Sequence, residues 1–249
     1  TDGLELTWGN ASAVVEATRQ IALGEGIGKL LGQGTRKMAE QVGGNAMDFA
    51  VQVKGLELPM HDPRAYFSWA VNYATSPRGG CHLHGMSAIY ENDEDPIPEW
   101  GLTGYYPRHS NDGKARIAWL AQNWAHILNS MVICYFATFT LEPSDLAQLI
   151  NQATGYDLTT ADLLIIGDRI NALHRAYNYR SGIRREDDTL PVRSLSPVAE
   201  GGAADKVPDL EAQLAEYYQI RRWEPDGKPS KEVLLELGLS DVAQDLYAH

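Results

Sequence analysis

Apolar residues recur at three- and four-residue spacing along most of this chain, and that pattern predicts helices. Asn10 and Ser12 can cap a first helix with apolar positions Val14, Val15, Ala17, Ile21 and Leu23. Gly24, Gly26 and Gly28 interrupt it, and Ile27, Leu30 and Leu31 restart it. Gly34 and Thr35 lead into a second helix that ends at the Gly43-Gly44 pair. Residues 49–58, FAVQVKGLEL, alternate enough for a short extended segment, and Pro59 and Pro63 stop regular structure. Residues 61–113 are rich in glycine and proline and have little period of their own. A stretch that long without periodicity is usually functional or packed on something else.

Regular spacing returns at Lys114. Ile117, Leu120, Trp124, Leu128 and Met131 predict a long helix running to about Phe139. Pro143-Ser144-Asp145 opens another, ending near Gly155. Asp157-Leu158-Thr159 precedes a third, with Leu163, Ile166, Ile170, Leu173 and Tyr177 on one face and Gly182 at its end. A polar loop from Arg184 to about Lys206 leads to a helix from Pro208 or Asp209 through Tyr217 and Tyr218. The tail PSKEVLLELGL is a short capped helix. There is no internal repeat, and the fold class is mainly α.

Composition narrows the partners. The chain has 249 residues and a formal charge of −12, a field that repels phosphate backbones and excludes nucleic acid. The acidic residues are dispersed, as in the run 91–95 and at 186–188, and read as solvated surface. No apolar run approaches the ~20 residues of a membrane helix. The N-terminus has neither an initiator Met nor the pattern of a signal peptide, so the start is expected to be a cut. Two cysteines, Cys81 and Cys134, make no disulfide framework and suit a reducing cytoplasm.

Seven phrases in one order carry a resemblance: GLELTWGN at 3–10, ALGEGIGKLLGQGTRKMAE at 22–40, VKGLELPMHDPR at 53–64, NYATSPRGGCHL at 72–83, NSMVICYF at 129–136, ALHRAYNYRSGIRREDDTLP at 172–191, and YYQIRRWEPDGKPSKEVLLELGL at 217–239. Together they resemble the aldehyde ferredoxin oxidoreductase family, from Gly3 to about Leu239. The resemblance implies the C-terminal part of a three-domain enzyme, with residues 1–52 the end of the middle helical domain and 53–249 the last helical domain. It implies oxidation of an aldehyde to a carboxylic acid. Electrons would pass from a tungsten (or molybdenum) bis-pterin through a 4Fe-4S cluster to ferredoxin. Both cofactors would be completed by an N-terminal part of the same protein, and a homodimer is a further implied partner. The other reading is a cofactor-free helical scaffold or binding subunit derived from the same fold.

The candidate site residues follow from these phrases. By pattern alone Cys134 is a buried thiol on an apolar helix face. By resemblance it ends a D-x-x-G-x-C motif and ligates the cluster, for which a thiolate is the natural donor. Asn129 stands where the family has Asp and Val132 where it has Gly. Asn can still hydrogen-bond a pterin but without the charge of Asp, and Val restricts the backbone where Gly permits positive φ. Ile133, between Val132 and Cys134, belongs to the same cofactor-side segment. By resemblance His82 is the active-site histidine, suited to moving protons near neutral pH. Gly79, Gly80 and Gly85 would let backbone approach a bulky cofactor. Arg78 is the best donor for a cofactor phosphate. Asp62 and Arg64 read as a salt-bridged turn, with a cofactor contact as the alternative. If residues 81–84 are extended, His82 and His84 share a face and Cys81 points away, which argues against a metal site there. Trp69, Trp100, Trp119 and Trp124 read as core or pocket wall.

Overall fold

The helix predicted from Lys114 is the axis of the fold. In the computed structural model, which describes residues 3–91 and 96–248, α1 spans Ala11–Leu23, α2 Gly28–Leu31 and α3 Thr35–Val42. A hairpin of β1 (Gln52–Val53) and β2 (Leu56–Glu57) follows. Then come α4 (Ser68–Thr75), α5 (Lys114–Met131), α6 (Pro143–Thr154), α7 (Thr160–Arg180), α8 (Leu210–Arg221), α9 (Lys231–Glu236) and α10 (Ser240–Tyr247). The fold is mainly α. No helix among the described residues is long and apolar enough to cross a membrane.

α5 is buried on nearly all sides, because α4, α7 and α8 pack around it. Its alanines, Ala115, Ala118, Ala121 and Ala125, let these neighbours come close. Gly167 does the same from α7: a Cβ there would lie 2.6 Å from the Asn123 Cβ. One core joins α4, α5 and α8 through Trp69, Tyr73, Leu214 and Tyr217. A second joins α5, α6 and α7 through Leu120, Trp124, Leu146 and Leu163. A third and smaller one seats α9 and α10 on α7. Trp69, Trp100 and Trp124 are core, as their sequence context implied.

Four expectations need correction. α5 ends at Met131, not near Phe139, because Val132 turns into the left-handed region and closes the helix. α4 lies inside the stretch with no visible period; all eight of its residues are buried, so no polar face marks it. Val14, Val15, Ile21 and Leu23 of α1 are exposed, while Ala13 and Ala17 are buried, so the apolar stripe of α1 finds no partner among the described residues.

The fourth correction concerns charge. Glu91 and Asp188 are buried, not solvated; residues 92–95 of the same acidic run lie outside the described residues. The Glu91 carboxylate accepts from the Ser68 backbone N–H at 2.7 Å and faces Lys114 at 3.3 Å. Asp188 sits under the hairpin. The turn residues Lys54 and Gly55 both have positive φ, 52° and 85°. This turns Lys54 inward, where its ammonium meets Asp188 at 2.6 Å and also donates to the Ala74 carbonyl. Arg175 approaches the same carboxylate at 2.9 Å, and the Tyr218 hydroxyl donates to it at 2.5 Å. Burial pushes the Asp188 carboxyl up, but Lys54 and Arg175 outweigh it and hold the pKa below the usual range. Lys54 shares that one carboxylate with Arg175, and its own pKa is lowered by burial.

Asp188→Asn is therefore expected to strand two buried cations and cost about 3–5 kcal/mol, the range for breaking a buried pair. The folded pKa lies below the unfolded one. The stabilisation is thus present above the unfolded carboxyl pKa of about 3.9 and lost as pH falls through the folded value. Denaturant melts of the two proteins at pH 7 and pH 3 check both points. A difference under about 1 kcal/mol at pH 7 would remove the network as a stabiliser.

Candidate functional site

Sequence reasoning placed its candidates on two segments, and the structure sets both against the C-terminal half of α5. The first is the helix end itself. The Ile133 N–H bonds the Leu128 carbonyl at 3.1 Å, and the Val132 N–H bonds the Asn129 carbonyl at 3.3 Å. This is the six-to-one and five-to-two pairing of a Schellman cap, with Val132 at the left-handed position (φ 58°, ψ 36°). Val132 thus adopts the backbone that a glycine would favour, rather than restricting it. It is 91% exposed, so no packing offsets the strain. Val132→Gly is expected to raise stability by about 1 kcal/mol, the strain removed less the entropy of the added glycine. Thermal melts check this, and a lower Tm would mean that the cap is not strained.

Cys134 follows the cap and heads a short turn in which the Ala137 N–H bonds the Cys134 carbonyl at 3.0 Å. Tyr135 anchors this turn inward, its hydroxyl 3.2 Å from that of Tyr90. The alternation leaves Val132, Cys134 and Phe136 outward and Ile133 and Tyr135 partly buried against the second core. The Cys134 thiol is free and exposed, which overturns its reading as a buried thiol on a helix face. It is bordered by exposed apolar side chains, with Phe136 at 70% and Phe139 at 54% exposure. Asn129, one turn earlier, is also exposed.

The second segment is the turn at residues 82–84, which is a 3-10 turn and not extended. Its two histidines consequently diverge. His82 packs against His61, ring centroids 5.2 Å apart, and edge-on to Trp69 at 6.4 Å. Trp69 is itself sandwiched between His61 and Tyr73, at 5.7 and 5.1 Å. His82 is half-buried, and burial followed by the neighbouring His61 lowers its pKa, so it is a neutral base at pH 7. His84 instead meets His126 of α5 and His174 of α7.

The glycines flanking this turn approach protein, not open space. A Cβ on Gly79 would lie 2.4 Å from the Val53 carbonyl, and one on Gly80 2.6 Å from Leu58. At Gly85 it would meet Asn72 at 2.3 Å. They lock the turn to the hairpin and α4, which corrects the expectation that they make room for a cofactor. Arg64 pairs with Asp62 at 2.6 Å and donates to the Ser196 carbonyl at 2.9 Å, so HDPR is a structural turn. Cys81 is buried. Arg78 is exposed at the mouth of the turn.

His126 and Val132 are six residues apart on α5, about 9 Å along the axis. The histidine turn and the cysteine loop therefore share one end of the central helix. Sequence reasoning missed His61, His126 and His174. The signal available was a histidine inside the apolar run of α5, at a position its helical period would bury.

The family model described as aldehyde ferredoxin oxidoreductase, domains 2 and 3, matches residues 1–239. A tungsten-containing aldehyde ferredoxin oxidoreductase of Pyrococcus furiosus is 35% identical over 96% of this chain and 39% of its own length. The aliphatic sulfonate oxidoreductase WOR-like subunit of the same organism is 29% identical over 98% of the chain and 37% of its own length. Among solved structures, the BamBC active-site complex of benzoyl coenzyme A reductase with 1,5-dienoyl-CoA superposes with a TM-score of 0.73. It is 22% identical and covers 99% of this chain and 42% of that one, a likeness of fold. The chain thus spans well under half the length of the relatives it matches. Its match across nearly every residue, on a helical fold of the same architecture, makes it a member of the aldehyde ferredoxin oxidoreductase family, corresponding to domains 2 and 3.

Proposed function

We propose that this chain is the C-terminal part of an enzyme that oxidises an aldehyde to a carboxylic acid and passes the electrons to ferredoxin. The observation that carries this reading is the presentation of Cys134: a free, exposed thiol just past the helix cap, in a segment where Val132, Phe136 and Phe139 are exposed too. An exposed thiol in an exposed apolar segment is a surface waiting for cover. It fits one corner of a 4Fe-4S cluster whose other ligands come from outside this chain, since Cys81 is buried elsewhere. When bound, a tungsten (or molybdenum) bis-pterin supplies two-electron oxidation, and the cluster supplies one-electron transfer.

This chain's own residues then have limited tasks. Cys134 holds cluster iron. Asn129 offers an amide to the pterin edge, and the Val132–Ile133 cap fixes the backbone beside it. Arg78, exposed, would donate to a cofactor phosphate. His82, neutral and half-buried against His61 and Trp69, takes a proton from the water that adds to the aldehyde carbon. Residues 1–52 belong to the middle domain, and the exposed stripe of α1 packs on the rest of that domain. The unpaired cysteines suit a cytoplasmic setting.

The test is composition and turnover of the full-length protein purified without oxygen. It should contain tungsten and a four-iron cluster, and reduce ferredoxin only when an aldehyde is added. Protein that folds with neither metal would support the cofactor-free scaffold instead.

A further inference from the structure

α7, the end of α8 and α9 border a cavity of about 320 Å³. Its apolar wall is Ile165 and Ala172 of α7, Ile220 of α8, Val233 of α9 and Leu237 just past it. An apolar cavity of about 150 Å³ already admits a benzene ring. Apolar walls around a few placed polar groups are the ordinary make-up of a small-molecule site.

One carboxylate on this wall, Asp168, is held from behind. Its Oδ1 accepts from the Trp119 indole at 2.7 Å, the Asn123 amide at 2.8 Å and Arg221 at 2.7 Å. The other four N–H groups of Arg221 reach the Tyr217 hydroxyl, Asn123 Oδ1, the Trp119 carbonyl and Gln122 Oε1. The guanidinium therefore has no N–H left for a ligand. Oδ2 of Asp168 takes no hydrogen bond among the described residues, and the side chain is 28% exposed. The pair thus presents the cavity with a rigid acceptor and no free donor.

Charge narrows the ligand. Asp168 is paired with Arg221, and Glu236 with Arg222 at the rim, each at 2.7 Å, so the lining charges cancel. An anion would meet the Asp168 oxygen with no donor from Arg221 to offset it. An ammonium would gain that oxygen, but with Arg221 directly behind it, and would give up its own hydration at an apolar wall. A neutral hydroxyl or amide avoids both costs and still makes a charge-assisted bond to Oδ2.

We propose that this cavity binds a small neutral molecule with an apolar body and a hydrogen-bond-donating head, an alcohol or an amide, whose head donates to Asp168 Oδ2. None of the lining residues is assigned to the cluster or the pterin, and binding is read without turnover. This test and that of the cluster therefore fail independently.

The probes are benzyl alcohol, benzoate and benzylammonium, one ring with three heads, titrated into the full-length protein at pH 7.5 and followed by ligand-observed NMR. Benzyl alcohol should bind, and the two ions should bind more weakly. Ile165→Trp, at a 46% exposed position on the wall, fills the cavity with little risk to folding and should abolish binding. Leu149→Trp, equally exposed on α6, should bind as wild type. Asp168→Asn gives the sharper readout. Trp119, Asn123 and Arg221 all donate inward, so they hold the new amide oxygen there and leave its NH2 facing the cavity. The preference for alcohol over benzoate should then swing toward benzoate by roughly tenfold to a hundredfold, the range for hydrogen bonds to a charged group. If that variant does not fold, Ile165→Trp and the order of the three probes decide. No binding of benzyl alcohol, unchanged affinity in Ile165→Trp, or tighter binding of either ion to the wild type would overturn the proposal. So would a folded Asp168→Asn protein with the wild-type preference.

Discussion

Cys134→Ala is expected to empty the cluster site and leave the fold intact. The two halves of that outcome have separate physical causes. A methyl group cannot replace a thiolate on iron, so cluster iron and electron transfer to ferredoxin should both be lost. The side chain is exposed and makes no hydrogen bond that shapes the loop, so the stability change should stay within about 0.5 kcal/mol. The loop's geometry rests on the Ile133–Leu128 bond of the cap and on the Tyr90–Tyr135 contact, none of which the substitution touches. Iron analysis, the visible absorbance of the cluster and ferredoxin reduction give the first half; thermal melts give the second. Cys81→Ala is the control with the opposite profile. Cys81 is 7% exposed, so it should lose packing energy and keep its cluster. Wild-type iron content in Cys134→Ala would make this thiol an ordinary surface residue and withdraw the main support for the electron-transfer reading.

What the sequence disclosed, and what it hid, divides along burial. α6 and α7 were legible from Pro143 and Thr159, because each begins with a capping box and ends at a glycine or serine turn. α4 was hidden, because a helix with no solvent face has no period. Glu91 and Asp188 were misread for a related reason. A charge run looks the same whether water or an opposite charge solvates it, and only the packing of the hairpin on Arg175 and Tyr218 decides. The extent of α5 was misread because apolar residues continue past Met131. They continue in a different geometry, set by one backbone torsion at Val132. The candidate site shows the same limit. Cys134 and His82 could be named from motif order, but the 3-10 turn that splits His82 from His84 could not. Nor could the meeting of His84 with His126 and His174, which are 42 and 90 positions away along the chain.

That split gives the His82 prediction its sharpest form. In the full-length enzyme, His82→Asn should lower kcat roughly 100- to 10,000-fold, the usual contribution of a general acid-base group, while tungsten and iron contents stay unchanged. Asn fits the space between His61 and Trp69 and keeps a hydrogen-bonding edge, so damage to the stacked rings should be small. The pH profile carries more information than the rate. Burial and His61 place the His82 pKa below 6.5, so its base form already predominates at neutral pH. The wild-type rate should hold from neutrality down to that lowered pKa and fall below it, as the base takes up a proton. His82→Asn should lack this acid limb, because Asn does not titrate. His84→Asn should keep the limb and lose far less rate, since His84 lies on the other side of the turn against His126 and His174. Initial rates from pH 4.5 to 9, with metal analysis of each protein, separate the outcomes. A His82→Asn enzyme with wild-type rate and an intact acid limb would remove His82 from proton transfer. Loss of tungsten in the same variant would make it a residue that seats the cofactor.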